Sequence, residues 1–352
     1  MPPLFIWPRT APMPAGKLNE PPMFRLRRLM LKSLPLAATS PIPLIAHALP
    51  GESASTYGGH VAMVLPIPPG GSGDVVARQL QPGLKQALGQ PVVVDHRPGA
   101  AGLQAAATVA RARPDGQTLL MAFDSLALQP IAYKQLPYDT FRDFTPISQL
   151  ARHPLVVAVH PSLPVDNIRA LIGLGRQRDE AIRVASPGPG SLNQLAAQAL
   201  ASEGGASWRH VAFKGTGPAV QAVLSDQADL VLASYAAVQA HLQTRTLKAL
   251  AVTGERRLAQ LPQVPTVAEQ GLAGFEAYGW IGVFGPAGLP PAMVGRLHGA
   301  LSNAIRAPRV ASALAAHGLE PVAGTPEALG QLVRREHDRW QAVARHANLQ
   351  FE

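Results

Sequence analysis

The sequence predicts an α/β protein of two lobes, each built around a central and mostly parallel β-sheet. A chain of 352 residues is too long for one compact core and suits two. Hydrophobic residues make up 47% of the chain, which predicts a globular protein and not a disordered one. Short apolar runs alternate with amphipathic helical patterns, which is typical of parallel strands joined by right-handed crossover helices.

The apolar runs predict the strands. They are short, apolar throughout and rich in β-branched residues, as expected of strands that are buried on both faces of a parallel sheet. The predicted strands are Val61–Leu65, Pro91–Val94, Thr118–Ala122, Leu155–Val159, Ile182–Ala185, Leu230–Ala233, Leu247–Val252 and Ile281–Phe284.

The segments between these runs have helical periodicity. Residues 74–88 place Val76 and Leu80 on one face at four-residue spacing. Pro82 lies inside this pattern and predicts a kink or a split, because proline removes a backbone hydrogen bond and clashes with the preceding turn. A final helix is predicted over residues 326–347, where apolar residues form one stripe.

Residues 1–48 are predicted to be a signal peptide with an N-terminal extension. A basic stretch after Met23, an apolar stretch and a small-x-small end at Ala48 follow one another in the order of a secretory signal. The pair Arg27-Arg28 resembles a twin-arginine signal. We therefore expect translation from Met23, cleavage after Ala48 and a periplasmic protein. The residues before Met23 are either an extension or not translated.

The charge distribution argues against nucleic-acid binding. The net charge is +9, but six basic residues and one acidic residue within residues 1–48 supply +5 of it. The remaining +4 is spread without a basic cluster, whereas a nucleic-acid surface needs one. The chain has no cysteine, which excludes disulfides, zinc–thiolate sites, thiol nucleophiles and a lipoprotein anchor.

Two glycine-rich turns are the strongest candidates for ligand binding. The first glycine loop, Pro66–Asp74, and the second glycine loop, Ala185–Ser191, each follow a predicted strand and open a helix. Free N–H groups at a helix N-terminus favour an anion, and glycine lets a ligand approach the backbone closely. Alternatively, Ser72, Asp74 and Ser191 are only helix N-caps. Two matched loops so far apart in the chain favour the two halves of a clamp.

Several short segments match one known family in order and spacing. They are Pro66–Arg78, Gln90–Gly102, Pro114–Met121, Leu136–Pro146, His160–Pro164, Lys214-Gly215, Leu247–Thr253, Leu261–Gly271 and Gly279–Gly288. Over residues 60–352 the chain resembles the substrate-binding receptors of tripartite tricarboxylate transporters, the Bug-type receptors. The resemblance implies a periplasmic binding protein of type II, the Venus-flytrap fold. Lobe one would be residues 60–150 and 275–352, and lobe two residues 151–274.

The resemblance also implies a ligand and its contacts. The ligand would be a small carboxylate, held by backbone N–H groups and small hydroxyl side chains between the lobes. The receptor would act as a monomer, deliver its solute to the membrane components of a tripartite transporter, and use no cofactor, metal or catalytic residue. The contacts carried over are Gly70, Gly71, Ser72, Gly73, Asp124 and Ser125 in lobe one, and Ser186, Gly188, Gly190, Ser191, Lys214, Gly215 and Ser234 in lobe two.

Two positions depart from the family pattern. Relatives commonly have an aspartate where this chain has Ala233, and that aspartate can meet an ammonium group. Its loss speaks against an α-amino acid ligand. Asp124, in turn, would repel an acidic ligand unless it points away or pairs with a ligand hydroxyl or amine. The simpler expectation is that Asp124 is a solvated turn or N-cap residue.

Three other functions compete with this one. Gly71 and Gly73 after a strand, followed by Asp95, imitate a dinucleotide-binding fingerprint, but Val76 occupies the third glycine position. A hydrolase is the second alternative, although no G-x-S-x-G surrounds Ser72 or Ser191. The third is a binding protein that serves as the input of a sensor.

Overall fold

The fold alternates strands with helices along the chain. The structure is a computed structural model that describes residues 59–99, 102–177 and 181–351, so the predicted signal peptide lies outside the described residues. The strands are β1 Val61–Leu65, β2 Val92–His96, β3 Thr118–Phe123, β4 Phe144–Val159, β5 Ile182–Ser186, β6 Trp208–Ala212, β7 Leu230–Ser234, β8 Lys248–Val252, β9 Tyr278–Pro286 and β10 Glu320–Pro321.

Helices connect most of these strands. They are α1 Ser72–Leu88, α2 Leu103–Ala110, α3 Ser125–Ala132, α4 Ile168–Gln177, α5 Leu192–Glu203, α6 Thr216–Leu224, α7 Tyr235–Gln243, α8 Pro291–Arg306, α9 Pro308–Ala316 and α10 Pro326–His346. The helix predicted over 74–88 is confirmed as α1, but it continues through Pro82 without splitting. A proline removes only one hydrogen bond of the ladder, and α1 buries Leu80 and Leu84 on either side of it.

The strands are ordered β2-β1-β3-β9-β4-β7-β5-β6, and β8 and β10 also pair with β4. β4 is shared between two half-sheets. Its residues up to Pro154 pair with β9, and from Leu155 onward they pair with β7 and β8. We call β1–β3, β9, β10 and the first part of β4 the first half-sheet. The second half-sheet is β5–β8 and the last part of β4.

Strand direction differs from the prediction at three of the apolar runs. β1–β3 are parallel to one another, as are β5–β7. The runs in β4, β8 and β9 were predicted to be parallel strands, but β9 is antiparallel to β3 and β4, and β4 is antiparallel to β7 and β8. Burial on both faces makes a strand apolar whatever its direction, so the pattern could not separate the two cases.

Each half-sheet is covered by helices on both faces. In the first half-sheet, α1, α8 and α9 bury one face, while α2, α3 and the N-terminal part of α10 bury the other. In the second half-sheet, α4 and α5 cover one face and α6 and α7 cover the other. α10 takes part in both halves, because Leu329 packs in the first and Trp340 in the second.

The strand registers point the two sets of parallel strands at each other. Phe123, at the carboxyl end of β3, pairs with Ile281 of β9, which pairs with Ala151 of β4. Ser234, at the carboxyl end of β7, pairs with Leu155 of β4. Along β4 these ends are separated by about 13 Å, at about 3.3 Å per residue. β3 runs with β4 and β7 runs against it, so their carboxyl ends face one another across residues 151–155.

Candidate functional site

The predicted site residues fall into two groups, one on each half-sheet. The first group is Gly70–Gly73 after β1 with Asp124 and Ser125 after β3. The second group comprises residues after β5, β6 and β7, namely Ser186, Gly188, Gly190, Ser191, Lys214, Gly215 and Ser234. All of them lie at the carboxyl ends of parallel strands, where ligands bind in open α/β sheets. The structure therefore places the two groups on facing edges of the half-sheets.

The first glycine loop is held in place by the side chain of Asp74. The Gly70 N–H donates to Asp74 Oδ2 over 2.9 Å, and Arg78 Nε donates to the same carboxylate at 2.9 Å. His96 Nε2 lies 3.0 Å from Asp74 Oδ1. Burial alone would raise the pKa of Asp74, but the bonds from Arg78 and Gly70 hold it below its ordinary value. Asp74 is therefore an ionised anchor for the loop and not a capping residue of the helix.

The first glycine loop and the start of α1 keep hydrogen-bond donors that no described side chain uses. Gly71 is the N-cap residue of α1 and has no side chain to bond the first-turn N–H groups. The Ser72 hydroxyl has no hydrogen-bond partner among the described residues, so the expectation that Ser72 is an N-cap is wrong. A Cβ on Gly73 would lie 2.4 Å from Cζ of Phe123, so only glycine lets α1 pack this closely against the end of β3.

The second glycine loop uses its polar groups internally. The Ser186 hydroxyl donates to Gly188 O at 3.1 Å, and Ser191 Oγ donates to the same carbonyl at 2.7 Å. Ser191 caps α5 by accepting from the Gln194 N–H at 3.4 Å, which confirms its expected N-cap role. The Gly190 N–H donates to Gln194 Oε1 at 2.8 Å. Few of these groups are left for a ligand.

His210 joins this loop from β6. Its Nε2 lies 2.5 Å from Ser186 Oγ, and burial lowers the pKa of His210. The sequence alone does not single out His210, because β6 is not an apolar run and was not predicted. The register pairs His210 with Val184 of β5, two residues before Ser186, and only the strand pairing reveals this proximity.

The turn after β6 completes the second group. The Gly215 N–H donates to Pro187 O at 3.2 Å, which joins this turn to the second glycine loop. Gly215 is the N-cap of α6, with a φ of 111° that favours glycine. Lys214 is exposed, and Ser234 is the N-cap residue of α7 without a side-chain capping bond. The N-termini of α6 and α7 therefore also face the junction with free first-turn donors.

Asp124 occupies an unexpected environment at the end of β3. It is the N-cap residue of α3, as expected, but it has helical φ and ψ and makes no side-chain capping bond. Burial raises its pKa to about 7, and the charge of Glu336 adds to the shift. The expectation of a solvated turn residue is therefore wrong, because the side chain is half-buried and closely surrounded by protein.

One contact joins the second glycine loop to the first half-sheet. A Cβ on Gly190 would lie 2.3 Å from Cβ of Ala132, the last residue of α3. It would also lie 4.0 Å from the ring of Phe351. Gly190 has a φ of 71°, so both its backbone conformation and its surroundings require glycine. The sequence could suggest the positive φ of Gly190, but it could not suggest the close approach of Ala132.

Two surface depressions lie apart from the glycine loops. One of about 340 Å³ is bordered by Arg152, Arg256 and Tyr278, and one of about 290 Å³ by Arg152, Trp280 and Glu336. No residue of either glycine loop lines them. Within the described ranges no cluster of three histidine, aspartate or glutamate residues could hold a metal ion. Nor does any described helix have the length and apolar character needed to cross a membrane.

An α/β fold whose helix N-termini face each other across shared strands is the architecture of two-lobed solute-binding proteins. The sequence model of the tripartite tricarboxylate transporter family receptor, TctC, matches residues 76–349. This chain belongs to that family of receptors. The matched residues begin just after the first glycine loop.

Solved structures agree with the assignment of this chain to the receptor family. The periplasmic binding protein BugD is 30% identical, with a TM-score of 0.72 over 83% of this chain and 98% of that chain. Rpa4515 of R. palustris, solved with adipate, is 30% identical, with a TM-score of 0.75 over 82% and 97%. MatC of Rhodopseudomonas palustris, solved with malate, is 31% identical, with a TM-score of 0.69 over 81% and 98%. These proteins are similar to this chain in both sequence and fold.

Proposed function

We propose that this chain captures a small carboxylate solute in the periplasm and delivers it to the membrane components of a tripartite transporter. The observation that carries the proposal is the facing arrangement of two sets of strand-to-helix turns across residues 151–155 of β4. Each set offers helix N-termini, which attract negative charge. The protein binds its solute without chemistry, and no catalytic residue is assigned. Export by the predicted twin-arginine signal belongs to this proposal.

The solute's charge is held by backbone donors and not by a side-chain counter-ion. The free first-turn N–H groups of α1, with the Ser72 hydroxyl, bind one carboxylate. The N-termini of α6 and α7, at Gly215 and Ser234, face it from the second half-sheet. Lys214 is exposed, so its ammonium stays hydrated and contributes less than these donors. This arrangement avoids the cost of burying a counter-ion in the cleft.

The similar proteins support a dicarboxylate-sized solute. Rpa4515 was solved with adipate and MatC with malate. Adipate and malate are both linear molecules with a carboxylate at each end. A solute of this shape spans two facing sets of anion-binding turns, one carboxylate on each. We propose the same geometry for this chain.

Closure of two lobes about the shared strands completes the proposal. β4 and β9 pair over most of their length and connect the predicted lobes, so a rotation would bend these strands near residues 151–155. Trp280 lies on β9 opposite Arg152 and is 1% exposed. A solute that favours the closed form should therefore change the fluorescence of Trp280. A Trp280→Phe variant shows how much of the signal comes from this residue.

A thermal-unfolding screen tests the proposed function. The mature protein is screened against adipate, malate, succinate and citrate, with uncharged diols of equal length as controls. Binding should stabilise the protein by about 2.7 kcal/mol at a concentration a hundredfold above Kd. The solute should be recovered unchanged after prolonged incubation. Stabilisation by the diols but by none of the carboxylates would contradict the proposal, and so would conversion of the bound solute.

A further inference from the structure

Asp124 lies at the edge of the proposed cleft. It is the first residue after β3, and the carboxyl end of β3 faces the second half-sheet across β4. The neighbouring Phe123 packs against Gly73 of the first glycine loop. Asp124 therefore directly follows the strand end that packs against the turn which the proposed function assigns to a solute carboxylate. The side chain is surrounded by protein on most sides yet keeps some access to solvent, as expected for the wall of a crevice.

No cation in the described part of the chain compensates this carboxyl group. Asp124 has no ion pair among the described residues, and its own backbone N–H is the one hydrogen-bond donor that lowers its pKa. The charged group that acts on it is Glu336 of α10, another acid. Glu336 Oε2 accepts a bond from Trp340 Nε1 at 2.7 Å, and burial raises the pKa of Glu336 as well. This neighbour makes ionisation of Asp124 harder, not easier.

A structural role does not account for Asp124. An N-cap side chain accepts from a first-turn N–H, but Asp124 makes no such bond and has helical φ and ψ. A half-buried carboxylate whose one described donor is its own backbone N–H is unfavourable, because it loses hydration and gains little in return. The group is stabilised if a bound molecule brings a hydrogen-bond donor to it.

We propose that Asp124 is the residue that selects the solute, by accepting a hydrogen bond from an ammonium or hydroxyl group next to the solute's carboxylate. The proposal rests on the proposed function and names a narrower class, the amino and hydroxy acids with two carboxylates. A plain dicarboxylate has no donor for Asp124 and brings a second negative charge towards it. Such a solute is therefore bound more weakly. The loss of an acid at Ala233 does not exclude an amino acid, because Asp124 offers an acid from the opposite half-sheet.

Titration calorimetry with a ladder of matched solutes tests the proposal. Succinate, malate and aspartate share one four-carbon skeleton and differ only in hydrogen, hydroxyl or ammonium on one carbon. Adipate and 2-aminoadipate form the same comparison at six carbons. The wild type should bind at least one donor-bearing member about tenfold or more tightly than its plain partner, the typical effect of a bond to a charged group. The preferred member identifies the donor as hydroxyl or ammonium.

Two variants assign this preference to Asp124. Asp124→Asn keeps the shape and removes the charge, so it should abolish the preference for an ammonium-bearing solute and leave the plain dicarboxylate bound as well or better. Asp124→Ser serves as a second replacement. Asp166→Asn is the matched control, because Asp166 is 91% exposed in its side chain and pairs with Lys248 far along the second half-sheet.

Each outcome separates this proposal from the broader one. Tightest binding of the plain dicarboxylate, or a preference that survives in Asp124→Asn, would overturn the role of Asp124 and leave a carboxylate receptor intact. Failure of every solute in both ladders would count against the proposed function itself. Asp124→Asn should unfold in urea no earlier than the wild type without solute. An earlier transition would mean that Asp124 has a structural partner and would also overturn the proposal.

Discussion

The two glycine loops look alike in sequence but are used differently in the fold. In the first loop the Asp74 carboxylate accepts a hydrogen bond from Gly70. The Ser72 hydroxyl and the first-turn N–H groups of α1 have no side-chain partner among the described residues. In the second loop Ser186 and Ser191 both bond to Gly188 O, and Gln194 takes the Gly190 N–H. The first loop thus keeps unused donors, whereas the second uses its polar groups to hold its own shape.

The difference shows that a hydroxyl residue beside glycines has two incompatible uses. A serine that caps its own helix satisfies the donors that would otherwise meet an anion. A glycine N-cap, as at Gly71, leaves those donors available. The asymmetry also predicts where substitutions change folding and where they change affinity. Each prediction below tests that division.

The largest expected effect is at Gly190. A Cβ there would lie 2.3 Å from Cβ of Ala132, and the φ of 71° is unfavourable for alanine. Gly190→Ala should lower the free energy of unfolding by about 2–4 kcal/mol, combining backbone strain with overpacking. Urea denaturation measures the change. Gly70→Ala in the first loop is the matched control, because φ is 92° and a Cβ would meet nothing within 4 Å. That variant should lose only about 1 kcal/mol.

A compensating change sharpens the result at Gly190. Adding Ala132→Gly to Gly190→Ala removes the methyl group in the way and should recover the packing part of the loss. The strain at φ 71° would remain. Equal stability of the single and double variants would show that the second glycine loop does not pack on α3.

A middle-sized effect distinguishes the two serines. Ser191→Ala removes the cap of α5 and should cost about 1 kcal/mol of folding stability. Ser72→Ala should change stability by less than about 0.5 kcal/mol, since this hydroxyl has no described partner, but should weaken solute binding by about 0.5–1.5 kcal/mol. Unfolding curves give the stability of each variant, and titration calorimetry gives its affinity for the solute. The division fails if Ser191→Ala weakens binding more than Ser72→Ala does.

The smallest expected effect is a difference in pH response. Burial lowers the pKa of His210 in the fold, so the unfolded chain takes up the proton first as the pH falls below about 6.5. The neutral histidine therefore stabilises the fold above that pH, and the contribution is lost as the pH falls towards 5. His210→Gln should reduce the loss of stability between pH 7 and pH 5, measured as the shift of the urea midpoint. An unchanged shift would contradict the lowering of the His210 pKa by burial.

The anchor of the first loop responds in a lower pH range. The pKa of Asp74 lies below its ordinary value of 3.8 in the fold, so its contribution is present above that value and is lost as the pH falls further. Asp74→Asn should therefore reduce the loss of stability as the pH falls below about 4, measured as the shift of the urea midpoint. The loss of stability between pH 7 and pH 5 should stay as in the wild type. The two loops are thus separable by pH alone.

Local features of the fold could be predicted from the sequence, and long-range ones could not. β1 was predicted with the observed bounds, and the start of α5 after Ser191 was also correct, because both follow from hydrophobic runs and capping residues. β6 and the first part of β4 carry pairs of polar residues among their apolar ones and gave no apolar run. Their positions depend on pairing with strands far away in the chain, and a local pattern does not record that pairing.

The candidate site divides in the same way. The strand-to-helix turns at the glycine positions could be predicted, because positive φ and helix starts leave a local signature. The use of each polar group was not predictable, since Asp74 lies beside His96 of β2 and Ser186 hydrogen-bonds with His210 of β6. The family match supports the receptor fold. The assignment of individual residues to the solute, and the division into two mobile lobes, stay predictions.

The shared strands also determine the order in which this chain can fold. One edge of β3 pairs with β1, and its other edge pairs with β9, where Phe123 lies opposite Ile281. The whole second half-sheet is synthesised between β3 and β9. The first three strands therefore wait, with one edge of β3 uncovered, until nearly the entire chain has been made. Such distant pairings fold slowly, and an exposed strand edge invites association with other chains. For a protein that is exported as proposed, the period before β9 is synthesised is the interval in which a chaperone has most to protect.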